Sequence, residues 1–256
     1  MSSLLSIFSS SIGKKVLMAL TGIFLTLFLV IHLIGNLQLL KADSGFAFNS
    51  YAVFMTTNPL IKTVSWGLYA IILLHAIKGF ALILSNRSSR NTPYVKNGSA
   101  SNSHWTSRNM GIFGTIILVF VVVHMSDFWW SYKFGSTPWS QYTVELSTGN
   151  MEVVEADAPA TGKALDYYTS THHILVSKDL YKKVQETFSN PLFVLFYVLS
   201  MLAISFHLWH GIASAFQSLG LYHSKYNATI KGLGVVISIL IPLAFAAIPI
   251  IMYSNI

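Results

Sequence analysis

Five stretches of the chain are apolar almost without a break: residues 16–40, 60–84, 109–132, 191–218 and 230–253. Each is long enough for a helix to cross a hydrocarbon layer about 30 Å thick. The polar segments between them set the connections. Residues 41–58 read as a short link ending at Pro59, a residue suited to the first turn of the next helix. Residues 86–108 form a basic, Ser/Asn-rich loop, and residues 131–190 are the one sizeable segment outside the spans. Within that segment, 141–146 and 151–155 flank Ser-Thr-Gly-Asn and predict a short hairpin, while 177–188 fits an amphipathic surface helix. Asn190-Pro191 opens the fourth span, and Pro242 and Pro249 predict kinks in the fifth. The first run is too long for a signal peptide, and it lacks an Ala-x-Ala cleavage site. The expected fold is an all-α integral membrane protein, a bundle of five transmembrane helices with 131–190 as a small cap on the outer side.

Composition agrees with that reading. Of 256 residues, 53% are hydrophobic and only 10% charged, and the mean hydropathy is +0.57, values foreign to an ordinary soluble domain. A net charge of +7 would suggest nucleic acid in a soluble protein, but its distribution excludes that partner. Seven of nine acidic residues lie within 131–190, whereas Lys14, Lys15, Arg87, Arg90, Lys96, Arg108, Lys225 and Lys231 fall at the opposite side of the spans. This is the loop asymmetry that orients multi-pass proteins, and it places the N-terminus in the cytoplasm and both the C-terminus and 131–190 outside. There is no cysteine, so an iron–sulfur cluster or thiolate metal site would have to reside on a partner.

The chemistry lies in the spans. Residues 22–32 read Gly-Ile-Phe-Leu-Thr-Leu-Phe-Leu-Val-Ile-His and residues 114–124 read Gly-Thr-Ile-Ile-Leu-Val-Phe-Val-Val-Val-His, with Gly, Phe, Val and His in register. A second match pairs His75-Ala-Ile-Lys-Gly79 with His207-Leu-Trp-His-Gly211. An imidazole in hydrocarbon needs a partner and is a functional candidate. His32 lies 17 residues beyond Lys15 and His124 lies 16 beyond Arg108, so both fall in the outer half; His75, 12 residues before Arg87, and His207, 11 before Ser218, fall in the inner half. Two layers of two histidines, roughly 10 Å apart by helix rise, would hold two stacked haems with bis-histidine ligation, His32 with His124 and His75 with His207. A bundle core is where such cofactors are built.

The remaining candidates follow from that geometry. Gly79 and Gly211 would let a porphyrin lie against the turn after each inner ligand, and Gly22 and Gly114 would make room at the inner layer; close helix packing is the other use for each. His210, three residues from His207, would contact a propionate or a neighbouring helix. Lys78, Ser107, Arg108 and the Lys14-Lys15 pair are further propionate candidates or an ordinary basic rim. Asp127, the acidic residue inside a span, would exchange protons with a quinol at the outer layer or reach water at a helix end, and Asn36 would add a hydrogen bond to the same pocket. His104, His172, His173 and His223 fall in loops and read as solvated.

With Thr21-Gly22 leading to His32, His75-Ala76, Val123-His124, and Phe206-His207 with Gly211 in this order, the chain resembles the dihaem cytochrome b membrane anchors of succinate dehydrogenases and fumarate reductases, the single-subunit type with five transmembrane helices. The resemblance covers nearly the whole chain apart from 131–190. It implies the same ligand pairing, an iron–sulfur subunit on the cytoplasmic face, an FAD flavoprotein beyond it, menaquinone as the lipid-soluble partner, and residence in a bacterial cytoplasmic membrane, with the complex able to form a higher oligomer. It implies an enzyme subunit: a succinate:menaquinone oxidoreductase anchor that passes electrons without itself binding dicarboxylate. Some members carry a glutamate two residues before the fourth-span ligand, where this chain has Ser205. The rival reading is a haem-free polytopic transporter, which would more typically show broken helices and inverted repeats.

Overall fold

The computed structural model describes residues 10–88, 105–221 and 223–255. His104, Arg90, Lys96 and most of the expected lead-in and basic loop lie outside them. Five helices among the described residues are long and apolar enough to cross a membrane, the pattern of a multi-pass membrane protein: Ser11–Leu40, Pro59–Ser85, Met110–Phe134, Pro191–Ser218 and Ser224–Ser254. The helical elements are α1 (Ser11–Asn36), α2 (Phe46–Thr57), α3 (Pro59–Ser88), α4 (Met110–His124), α5 (Leu180–Phe188), α6 (Pro191–Ser218) and α7 (Ser224–Ser254). Short single turns at Trp105–Arg108 and Ser131–Phe134 flank α4 and its continuation.

Two spans begin with the same device. Asn58 and Asn190 each precede a proline, and each side-chain oxygen accepts from the backbone N–H two residues on, Leu60 at 3.0 Å and Leu192 at 2.9 Å. The missing proline N–H costs nothing at a first turn, where it would lack a helical partner. The third span is not a uniform α-helix. After His124 it continues as a π-helix, Met125–Trp130, a form that occurs mostly as single turns and often at functional sites.

The chain divides into two compact units: Met1–Ile31 with Ser65–Phe120 and Val198–Ala246, and His32–Val64 with Val121–Tyr197 and Ala247–Ile256. In the first unit, Phe113 and Phe206 stack at 5.3 Å and Trp105 packs edge-on against both. Ser205 Oγ donates to the Ser238 carbonyl at 2.6 Å. That carbonyl is the one a residue at position 242 would ordinarily serve, and Pro242 has no N–H to give. The serine therefore supplies the donor that the proline lacks.

The second unit corrects the all-α expectation. Residues 139–178 form a four-stranded antiparallel sheet of order β2-β1-β4-β3, from β1 (Trp139–Glu145), β2 (Met151–Ala156), β3 (Leu165–Tyr168) and β4 (His172–Lys178). The expected hairpin is β1 with β2, and it gains two strands because alternation continues: Ser140 and Tyr142 on one face of β1 meet Ser177 and Leu175 of β4. All four are buried, which is the period-two pattern of a half-buried sheet. The link 41–58 is corrected too, since it contains the 12-residue helix α2. Its start is set by Asp43, whose carboxylate accepts from Gly45 N and Ala47 N, and by Gly45 in the left-handed region at φ 86°.

A buried polar network locks α2, the sheet and α5 together. Asn49, fully buried, donates to Tyr142 Oη at 2.7 Å and to Asp179 Oδ1 at 2.8 Å. Its oxygen accepts from the backbone of Leu180 and Tyr181. Ser140 donates to the other Asp179 oxygen at 2.7 Å, and Asp179 in turn caps α5 through Lys182 N. Each member is satisfied, so the network specifies one arrangement rather than leaving a buried charge exposed to apolar surroundings. Burial and the neighbouring Asp179 carboxylate push the Tyr142 phenol well above its ordinary range. Helix α5 is more than a surface helix: Val184, Thr187 and Phe188 are buried.

Candidate functional site

The four span histidines come together as two pairs, one in each unit. In the first unit the rings of His75 (α3) and His207 (α6) have centroids 6.3 Å apart. In the second, His32 (α1) and His124 (α4) lie at 5.8 Å. Each pair draws its rings from two helices, with the partners expected from depth along the spans. Two imidazoles sharing a metal at about 2.0–2.1 Å, with each centroid about 1.1 Å behind its nitrogen, would have centroids about 6.3 Å apart. The first pair matches that spacing and the second falls half an ångström short of it. Among the described residues no group of three or more His, Cys, Asp or Glu gathers to hold a bare ion. A pair of rings suits a metal whose other ligands come from a macrocycle, as in haem.

Around the His75–His207 pair the chain supplies orientation and space. Thr21 Oγ1 lies 2.9 Å from His75 Nδ1, while its own proton is directed to the carbonyls of Leu17 and Met18. With that proton on a carbonyl, the hydroxyl accepts from His75 Nδ1–H, the tautomer that leaves the Nε2 lone pair for a metal and the outer-shell arrangement typical of ligating histidines. A Cβ added at Gly22 would sit 3.6 Å from the His75 ring, and one at Gly114 would sit 3.7 Å from the His207 ring. These are ordinary contacts, and anything larger would press on the rings. A Cβ at Gly211 would meet nothing within 4 Å, and one at Gly79 only the Met18 methyl at 3.9 Å. Neither position is filled by the chain's own side chains. The Nδ1 of His207 is buried without a hydrogen-bond partner among the described residues.

The expected propionate contacts are distributed unevenly. Lys78 and Ser107 are half-buried and Arg108 is exposed. Among the described residues Lys78 has no carboxylate partner within reach. His210 lines a cleft of about 240 Å³ with Lys231.

Around the His32–His124 pair the neighbours are aromatic and amide groups. Tyr197 Oη lies 3.4 Å from His124 Nδ1, and the rings of Phe128 and Tyr197 stand 5.3 and 6.1 Å from that of His124. Phe188 of α5 closes the cluster against Tyr197 at 5.0 Å. Asn36 donates to the His32 carbonyl at 2.8 Å, and its amide nitrogen lies 3.4 Å from each ring nitrogen. Asp127 occupies the π-turn, paired with Lys183 Nζ at 3.4 Å through Oδ1. Its Oδ2 is buried without a hydrogen-bond partner among the described residues. The ring meeting His124 from that turn is Phe128.

No protein-family model, curated protein or solved structure matches the chain. The site is therefore read from its own geometry.

The spacing of the four histidines anticipates their meeting in pairs, while three kinds of neighbour are not legible in it. Thr21 entered only as the residue before Gly22, since nothing in the sequence ties it to a histidine 54 positions away. Nothing in the sequence sets Tyr197 and Phe128 apart from the other aromatics of the spans, or Lys183 from the other charges of 177–188. His172 and His173, expected in a loop, both lie on β4, where neighbours point to opposite faces. His173 stacks on Tyr168 and pairs with Asp166 at 2.7 Å.

Proposed function

We propose that this chain is the membrane-anchor cytochrome b subunit of a succinate:menaquinone oxidoreductase, a succinate dehydrogenase or fumarate reductase. It passes electrons between a quinone site near the outer haem and an iron–sulfur subunit at the cytoplasmic face. FAD and the clusters belong to the partner subunits. The observation that carries the reading is the meeting of four histidines from four spans as two pairs, with ring centroids 6.3 and 5.8 Å apart.

His75 with His207 would hold one b haem and His32 with His124 the other. Bound there, each haem would supply one-electron transfer. The chain's own residues do the rest. Thr21 keeps the His75 lone pair on Nε2, Gly79 and Gly211 leave room for a flat macrocycle, and Lys78 offers a cation for a carboxylate near the same pair. Phe128, Tyr197 and Phe188 exclude water beside His124. Asp127, one turn from His124, offers Oδ2 as a proton acceptor when a menaquinol is oxidised.

The test is a haem assay with redox titration of the purified complex beside His32→Ala, His75→Ala, His124→Ala and His207→Ala. Two b haems in the wild type, with one lost in each variant, are expected. A colourless protein, or one with a single haem, overturns the scheme.

A further inference from the structure

The first unit contains a second polar recess, distinct in its lining from the histidine pair. It lies between the last turns of α6 and the first turns of α7, has a volume of about 240 Å³, and is lined by His210, Ser214, Gln217, Asn227 and Lys231 together with apolar side chains. Every polar side chain there can donate a hydrogen bond, one is a lysine, and no Asp or Glu is among the lining residues. Such a set favours an anion with several acceptor oxygens.

Its position specifies the anion further. Lys231 is seven residues into α7 and His210 eight before the end of α6, so the recess lies within about 12 Å of the helix ends by helix rise, the depth of lipid headgroups and glycerol ester groups. Large apolar side chains flank it on the same helices: Trp209, Tyr226 and Leu233 are 44%, 53% and 58% exposed. A soluble anion has no use for that apolar border, whereas acyl chains do. Basic pockets between spans hold anionic lipid headgroups by this combination.

We propose that the recess binds the phosphodiester headgroup of one anionic phospholipid, with Lys231 facing the phosphate, Ser214, Gln217 and Asn227 donating to its oxygens, and the acyl chains lying along Trp209 and Leu233. The lipid ties the end of α6, the helix that carries His207, to α7. The proposal does not depend on the haem assignment.

The experiment is native mass spectrometry and lipid extraction of the purified complex in mild detergent, comparing wild type, Lys231→Gln and Ser214→Val, with Lys225→Gln, an exposed lysine outside the recess, as control. After delipidation, rebinding is measured with mixed micelles of phosphatidylglycerol or phosphatidylcholine, and with inorganic phosphate as competitor. One phosphatidylglycerol per chain is expected in wild type and in the control. Retention should fall about fivefold in Lys231→Gln, the factor matching about 1 kcal/mol per basic side chain near an anionic headgroup, with a loss in Ser214→Val and no change in haem content. Equal retention of both lipids, equal retention in all variants, or displacement by millimolar inorganic phosphate overturns it. So does a quinone recovered in place of lipid, or haem lost with Lys231→Gln, which would make the recess a propionate or quinone contact.

Discussion

The bond from Ser205 to the Ser238 carbonyl gives this serine a mechanical use that can be measured. Pro242 lacks the N–H that would reach Ser238 four residues earlier. Ser238 is fully buried, and the hydroxyl of Ser205 reaches its carbonyl at 2.6 Å. In Ser205→Ala this carbonyl loses its donor from α6 in a setting without water, which should cost about 1–2 kcal/mol, between the average for hydrogen bonds across spans and the penalty for a stranded polar group. In a Pro242→Ala background the helix regains its own N–H at that position, so the same Ser205→Ala change should cost no more than about 0.5 kcal/mol. The coupling between the two changes is thus about 1 kcal/mol. Equilibrium unfolding in mixed micelles of mild detergent and dodecyl sulfate, followed by helicity, provides the four free energies of the cycle. Equal cost of Ser205→Ala in both backgrounds would refute the argument and return Ser205 to an incidental contact.

Other outcomes follow from the same geometry. Gly211→Leu adds a side chain where the chain itself offers no obstacle, so folding should survive while one haem is lost from the purified protein; retention of both haems would count against a macrocycle at that turn. Gly22→Ala should be tolerated and Gly22→Leu should displace His75, read as loss of the same haem. Thr21→Val removes the hydrogen bond at His75 Nδ1, and under the proposed dihaem reading that would make the ring a poorer donor to ferric iron. It should raise one of two midpoint potentials by roughly 20–65 mV, the one-electron equivalent of about 0.5–1.5 kcal/mol. Asn49→Ala strands Asp179, Tyr142 and two backbone N–H groups, and should loosen the 131–190 segment by about 3 kcal/mol or more, visible as rapid proteolysis there. The Tyr142 phenol is raised above its ordinary value of 10.0, so the stability it contributes is full below about pH 10 and is lost as pH climbs toward the folded value. Tyr142→Phe should flatten that alkaline loss.

Much of the architecture was legible because hydrocarbon leaves few choices. A run of some twenty apolar residues has to satisfy its backbone internally, so five such runs mean five helices. Asn58-Pro59 and Asn190-Pro191 announce where two of them start. The pairing of His32 with His124 and of His75 with His207 was legible for a related reason: helix rise converts residue count into depth, and each histidine has one partner at its own level. Where the rule failed, the controlling contact was distant in sequence. The helix over Phe46–Thr57 has only a weak apolar stripe and forms because Asn49 and Val53 meet the sheet. Strand β3, four exposed residues, does not declare itself before β4 gives it an edge, and β4, with Ile174-Leu175-Val176 at its centre, takes its place from a partner, β1, distant in sequence.

The sequence by itself determined the number of spans, their starts and which residues could carry chemistry, since these depend on local composition and on the constant rise of a helix. Only the tertiary structure decided that Thr21 meets Nδ1 of His75, that Lys183 meets Asp127, that Ser205 serves the carbonyl left by Pro242 and that β4 turns His172 and His173 apart. Each of those depends on which side chains approach within about 3–4 Å, the range in which hydrogen bonds and ion pairs act, and no one-dimensional spacing encodes it.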